Sequence, residues 1–182
     1  PAAAARNFAM FCKAIQPLLK DDQRYLSELE EVQQGFANVI QAQLEQMWAA
    51  KLGLEDYNEA LFSELISLMT LTTVDYTIFF RELSALPDNI EPLKKSFYGE
   101  LNASEYGTKS ANSNTQDIEQ HWSAWLDKWQ TLVGISDKND ANTTRSREAI
   151  SNQMKQVNPK YILREWQLVA AYKQAAEGEY TL

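Results

Sequence analysis

Apolar residues recur at helical spacing along most of the chain, and they predict about seven helices. The first predicted helix runs from Arg6 to Leu19, and Pro17 is expected to bend or end it. The second runs from about Gln23 to Leu52, with Gly53 expected just beyond its C-cap. The predicted buried stripes are Phe8, Phe11, Cys12, Ile15, Leu18 and Leu19 on the first helix, and Tyr25, Leu29, Val32, Phe36, Ile40, Met47 and Trp48 on the second.

Two more helices are predicted before residue 100. Asp56, with Glu59 three residues later, has the pattern of a capping box that opens the third helix. Thr70, Thr72 and Thr73 indicate a break before the fourth. The predicted core residues are Leu61, Phe62, Leu65, Leu68 and Met69 on the third helix, and Tyr76, Phe79, Phe80 and Leu83 on the fourth.

Two polar stretches, near residues 102–116 and 136–144, predict loops on either side of a fifth helix. That helix starts near Asp117 and ends before Gly134; its apolar stripe is Ile118, Trp122, Trp125, Leu126, Trp129, Leu132 and Val133. A short helix bearing Ile150 and Met154 follows. Asn158 and Pro159 predict the N-cap and first turn of a last helix, which ends at Glu177 and turns Ile162, Leu163, Trp166 and Val169 toward a core.

No strand pattern accompanies these helices, so the expected fold is all-α: one domain over residues 1–182, an orthogonal or irregular bundle without a sheet. Composition agrees, since the 182 residues include only six glycines and five prolines. The net charge of −8 argues against a general nucleic-acid binder and against an acidic membrane surface. No apolar run is long enough for a membrane span, and the single cysteine, Cys12, favours a reducing compartment, so we expect a cytoplasmic protein.

Charge is distributed unevenly along the chain. Residues 21–64 carry ten acidic and two basic side chains, whereas residues 144–173 carry six basic and two acidic ones. Electrostatic complementarity within the molecule is the favoured explanation. If the basic region instead binds an anionic ligand, Arg145, Arg147 and Arg164 are the residues we expect to form the patch.

The sequence assigns no catalytic, cofactor-binding or metal-ligating residue. The glycines are too far apart for a phosphate-binding loop. His121 is expected to be partly exposed and structural; Ile118, three residues before it, replaces the glutamate of a di-iron Glu-x-x-His pair. Paired carboxylates such as Glu30 and Glu31 are expected on solvated faces. The tryptophan spacing favours core packing over a cation cage or a base-stacking platform.

Four stretches, in this order, resemble the C-terminal helical part of the selenoprotein O family: residues 1–19 (PAAAARNFAMFCKAIQPLL), 47–54 (MWAAKLGL), 75–83 (DYTIFFREL) and 154–180 (MKQVNPKYILREWQLVAAYKQAAEGEY). The block from Asn158 to Arg164 is the most specific of them. Glu165 departs from the family pattern, which commonly has Asn after the Leu-Arg pair.

The resemblance implies a larger enzyme whose N-terminal part is kinase-like and transfers AMP from ATP, with Mg²⁺, to hydroxyl side chains of protein substrates. None of the family's catalytic motifs lies in this segment, and Cys12 does not match the family's redox-active position near the C-terminus. We therefore expect a bacterial C-terminal piece with a structural or regulatory role beside the kinase-like domain. A face left uncovered in isolation could make the piece dimerise.

Two other functions stay open at the level of sequence. One is a stand-alone helical interaction module that receives a partner on the tryptophan helix or on the region from Arg145 to Arg164. The other is a small helical enzyme that uses His121 or Cys12, which would need a pocket with convergent carboxylates.

Overall fold

A computed structural model describes residues 2–98, 115–135 and 145–180, and for Thr115, Gln116, Trp166 and Gln167 only the backbone. Within these ranges the fold is all-α, as predicted: the sole β pairing is an isolated bridge between Val74 and Phe97. The helices are α1 (Ala2–Leu19), α2 (Gln23–Leu52), α3 (Glu59–Leu71), α4 (Tyr76–Leu83), a short 3-10 helix (Leu93–Ser96), α5 (Thr115–Val133), α6 (Arg147–Val157) and α7 (Glu165–Ala176).

The chain divides into two compact units, Pro1–Ala49 and Ala50–Leu182. The first unit contains α1 and most of α2. Its helices meet where Phe8 stacks on Phe36, with ring centroids 4.3 Å apart, and Cys12 is fully buried. Pro17 lies inside α1, which ends two residues later, so the proline is accommodated in the last turn.

The predicted stripes of this first unit contain both half-buried and exposed residues. Leu29, Phe36 and Ile40 of α2 are half-buried, in agreement with the prediction. Several residues predicted to be buried are instead exposed: Phe11 and Leu18 on α1, and Tyr25, Val32 and Met47 on α2. A helix that packs on one side buries only a narrow apolar face, and the predicted stripes include residues on both sides of that face.

The second unit has a core of aromatic and aliphatic side chains in which Trp122, Trp125 and Trp129 are fully buried, as predicted. Each indole N–H has an acceptor: Thr72 Oγ1 at 3.1 Å, the Leu61 carbonyl at 3.1 Å and the Leu52 carbonyl at 2.8 Å, respectively. Because buried indole nitrogens need hydrogen bonds, these contacts fix the rotation of α5 against the chain segments that supply the acceptors.

The predicted start of α3 is wrong by two residues. Asn58, not Asp56, is the N-cap; its side chain accepts a hydrogen bond from the Leu61 amide at 2.9 Å. Both residues are good caps, and the choice follows from where the buried stripe of Leu61, Leu65 and Leu68 must begin.

The predicted role of Asn158 is also wrong: Asn158 is the C-cap of α6 and not the N-cap of the last helix. Residues 159–164 are non-helical, and α7 begins only at Glu165. Ile162, Leu163 and Val169, which were predicted to face a core, are 42%, 80% and 42% exposed. The predicted core positions Tyr76 and Leu132 are also partly exposed, at 41% and 49%.

The two polar loops fall almost wholly outside the described residues. The exception is the end of the first: Thr115 and Gln116, predicted to be loop, form the first turn of α5. Gly53 has φ +71°, which confirms its predicted place after α2.

Candidate functional site

Two of the three arginines proposed for an anion patch donate to carbonyl groups of their own chain. Arg145 donates to the Gly53 carbonyl at 3.2 Å and to Gln153 Oε1 at 2.6 Å. Arg147 donates to the carbonyls of Ile135 at 3.1 Å and Leu86 at 2.9 Å. Those carbonyls follow the C-termini of α2, α5 and α4, where partial negative charge favours a cation.

The third arginine, Arg164, forms a forked ion pair with Asp75. Its Nη2 lies 3.0 and 2.8 Å from the two carboxylate oxygens, and the Tyr98 hydroxyl donates to Asp75 Oδ2 at 2.7 Å. Asp75 is also the N-cap of α4 and accepts from the Ile78 amide at 3.0 Å. The geometry thus favours complementarity within the molecule over a ligand patch.

The carboxyl of Asp75 is only 7% exposed, and burial by itself would raise its pKa. The hydrogen bonds from Ile78, Tyr98 and Arg164, together with the charge of Arg164, outweigh that effect and hold the pKa below its usual range. Asp75 is therefore an anion in the folded protein near neutral pH, which keeps Arg164 in place.

Asn158 is fully buried and joins three helix ends. Its Nδ2 donates to the Lys51 carbonyl at 2.9 Å and to Ser84 Oγ at 3.1 Å, while its Oδ1 accepts from Lys51 Nζ at 3.1 Å. Arg81 donates to the carbonyls of both Asn158 and Lys155, at 3.1 and 3.2 Å. Every polar atom of the Asn158 side chain is thus used to connect α2, α4 and α6.

Lys51 also lies against the aromatic side chains of α4. Its ammonium is 5.7 Å from the ring centroid of Tyr76 and 5.2 Å from that of Phe80. Burial lowers the pKa of Lys51, and burial raises the pKa of Tyr76 to about 12. The tyrosine is therefore neutral, and the lysine is held by ring faces and an amide oxygen.

Asn158 and Arg164 thereby fix both ends of a short exposed segment, residues 159–163, which we call the anchored segment. It contains Tyr161, Ile162 and Leu163 in succession, at 79%, 42% and 80% exposure. Pro159 has no amide hydrogen, and the amides of residues 160–163 donate no hydrogen bond to a described residue. Loops more often carry polar residues, so three successive large apolar side chains on a fixed loop form an unusual surface.

The residues weighed for catalysis do not assemble into a site in the described part of the chain. The His121 side chain is 62% exposed, as predicted, and its Nδ1 lies 3.7 Å from Asp117 Oδ1. Cys12 is buried in the first unit. The described ranges contain no group of three His, Cys, Asp or Glu side chains able to hold a metal.

One groove of about 420 Å³ lies between α3 and α5. Leu61 and Leu132 contribute apolar walls, and Lys128 donates to both carboxylate oxygens of Glu64 at 2.8 and 2.9 Å. The groove thus has one paired lysine and carboxylate, and neither His121 nor Cys12 is among the residues that line it.

Sequence reasoning singled out Asn158 and Arg164 but missed Lys51, Asp75 and Ser84. Asp75 precedes the apolar run of α4 and could have been identified as an N-cap. Nothing local indicates the pairings, because Lys51 is 107 residues from Asn158 and Asp75 is 89 residues from Arg164.

The fold and these contacts define an all-helical domain that presents a fixed apolar segment. The family model for the protein adenylyltransferase SelO matches residues 1–181, and the chain belongs to this family. That match confirms the resemblance drawn from the sequence.

Curated relatives support the assignment. The protein nucleotidyltransferase YdiU of Rhodopirellula baltica is 28% identical over all of this chain and 33% of its own length. The proteins of the same name from Aromatoleum aromaticum and Flavobacterium johnsoniae are 31% and 27% identical, over 81% and 100% of this chain and 26% and 32% of their own lengths. The chain thus spans about a third of the length of the relatives it matches.

No solved structure gives a significant match to this chain. Among the described residues, no helix is long and apolar enough to cross a membrane.

Proposed function

We propose that this chain is the helical domain of a longer protein adenylyltransferase and supports the transfer of AMP from ATP to hydroxyl groups of protein substrates. The observation that carries the proposal is the family match over residues 1–181, combined with the coverage of only a third of the nucleotidyltransferases it resembles. We call the complete polypeptide the full-length enzyme.

The contacts of the domain favour a supporting role over a catalytic one. ATP and Mg²⁺ would require cations free for phosphates and carboxylates free for the metal. Within the described residues, Arg145, Arg147 and Arg164 lie on intramolecular acceptors, and Asp75 is neutralised by Arg164. These residues do not fit a nucleotide site, so we assign ATP, Mg²⁺ and the reacting hydroxyl to the kinase-like part of the full-length enzyme.

A stand-alone helical interaction module is the second candidate. The exposed anchored segment favours it, since an apolar loop held at both ends would suit a partner from a separate chain. The two candidates differ in whether the segment acts within an enzyme polypeptide.

The test is transfer of radiolabelled AMP from ATP to a protein substrate, measured for three proteins. We expect label from the full-length enzyme, none from this chain alone, and strongly reduced label from the enzyme lacking it. Transfer by this chain alone would overturn the assignment of catalysis to the other part. Undiminished transfer by the truncated enzyme would overturn the supporting role and favour the interaction module.

A further inference from the structure

We propose that the anchored segment, residues 159–163, is the surface by which this domain docks onto the other two thirds of the same adenylyltransferase polypeptide. The inference rests on the proposed function for the identity of its partner.

The segment is held at both of its ends. The buried Asn158 side chain makes three hydrogen bonds at one end, and Arg164 forms its ion pair with both carboxylate oxygens of Asp75 at the other. Neither anchor uses the side chains between them. Both ends of the segment are therefore fixed before docking, so docking would lose less conformational entropy than it would for a loop with free ends.

The segment exposes an apolar surface with a charged edge. Tyr161 and Leu163 are each about four-fifths accessible, at 79% and 80%, and Ile162 between them is 42% exposed. Lys160 places its ammonium 5.0 Å from the Tyr161 ring centroid, so the apolar surface has a charged edge. An aromatic anchor beside aliphatic side chains with a charged rim is the composition typical of an interface core.

The remainder of the same polypeptide is the occupant that this surface suits. Relatives of this chain are about three times its length, so most of the family polypeptide is not represented by it. A partner within one polypeptide is present at high effective concentration and needs only a small interface. The remainder of the enzyme is therefore a better match to a five-residue segment than a second copy or an unrelated protein.

The experiment measures amide hydrogen exchange of residues 160–163 in this chain alone and in the full-length enzyme. We expect near-intrinsic exchange in the chain alone and exchange slowed by roughly tenfold or more in the full-length enzyme, because docking excludes water from amides that donate to no described residue. Equal exchange in the two proteins would overturn the proposal. Protection in the chain alone that rises with its concentration would also overturn it, since the occupant would then be a second copy.

Variants of the full-length enzyme test the side chains. Leu163→Ser should speed exchange at residues 160–163 by roughly tenfold, because a truncated interface anchor weakens docking by about that factor or more. Leu71→Ser is the matched control: Leu71 is 63% exposed at the end of α3, and its replacement should leave this exchange unchanged. Equal effects of the two variants would count against docking at the segment.

Failure of the docking proposal and failure of the proposed function are distinguishable. If the full-length enzyme protects residues 160–163 but transfers no AMP, docking stands and the adenylyltransferase assignment falls. If it transfers AMP while these amides exchange freely, the function stands and the docking proposal falls.

Discussion

Replacement of Asn158 by alanine tests whether one buried amide joins three helices. The substitution removes three hydrogen bonds: two donated by Nδ2 to the Lys51 carbonyl and Ser84 Oγ, and one accepted by Oδ1 from Lys51 Nζ. Each bond contributes about 1 kcal/mol net, and a buried partner left without a hydrogen bond costs about 1–3 kcal/mol.

The expected loss follows from which partners water can reach. Lys51 is half-buried and its ammonium keeps its contacts with the Tyr76 and Phe80 rings, so it contributes little to the loss. Ser84 still donates to the Phe80 carbonyl at 2.7 Å. The Lys51 carbonyl, at the last turn of α2, loses the hydrogen bond donated by Nδ2 and carries most of the cost. We therefore expect Asn158→Ala to lower the free energy of unfolding by about 2–4 kcal/mol.

Urea unfolding followed by tryptophan fluorescence measures this loss, since Trp122, Trp125 and Trp129 lie buried in the same unit. Asn152→Ala on α6 is the control: Asn152 is exposed, and its replacement should change stability by less than about 0.5 kcal/mol. Asn158→Asp should not restore stability, because a carboxylate cannot donate to the Lys51 carbonyl. The conclusion that Asn158 joins three helices is refuted if Asn158→Ala and Asn152→Ala unfold at the same urea concentration.

Three further predictions concern charge, backbone and the core. The folded pKa of Asp75 is depressed, so its contribution to stability is present above the unfolded pKa of about 3.9 and disappears as pH falls through the lower folded value. Asp75→Asn should thus be less stable than the native chain at pH 7, and urea midpoints between pH 7 and 2.5 should show the difference shrinking below about pH 4. Gly53→Ala should destabilise the protein by more than about 1 kcal/mol, because φ is +71° and a Cβ would lie 2.7 Å from Met154 Sδ. Gly35→Ala, inside α2 with open space around it, should stabilise the protein by about 0.5–1 kcal/mol. The two variants should therefore shift the thermal unfolding temperature in opposite directions. Trp129→Phe should cost about 1–3 kcal/mol in urea unfolding, since the Leu52 carbonyl loses its indole donor; an unchanged midpoint would show that this bond is dispensable.

Helix positions could be predicted from the sequence because periodicity is a local property. The boundaries of α2 agree with the prediction to the residue, and the tryptophan stripe of α5 is buried as its spacing indicated. The errors lie where local chemistry permits two outcomes. Asn158 followed by Pro159 suits a helix start, yet the same asparagine side chain is as effective when it is buried at the end of the preceding helix.

The outcome at Asn158 depends on Lys51, which is 107 residues away in sequence, and no local pattern contains that partner. The same holds for Arg164, whose acceptor Asp75 is 89 residues distant. Charge counting favoured complementarity within the molecule for the basic C-terminal region, but in the contacts described above none of its three arginines pairs with an acidic side chain of residues 21–64. It could not name the acceptors, since Arg145 and Arg147 use mainly backbone carbonyls and these carry no sequence signal.

The position of the anchors explains why the anchored segment can be apolar and exposed together. A loop whose order depended on burying its own apolar side chains would turn Tyr161 and Leu163 inward. Here the two ends of the segment are held by polar groups, those of Asn158 and Arg164. The side chains between them therefore need not pack against the core. Their exposure to water is then unfavourable for the domain in isolation, and their burial against another surface would be favourable. For that reason, substitutions at Leu163 should leave the unfolding free energy of the domain unchanged while weakening its association with the rest of the full-length enzyme. A core residue would show the opposite result, since its replacement would lower the unfolding free energy.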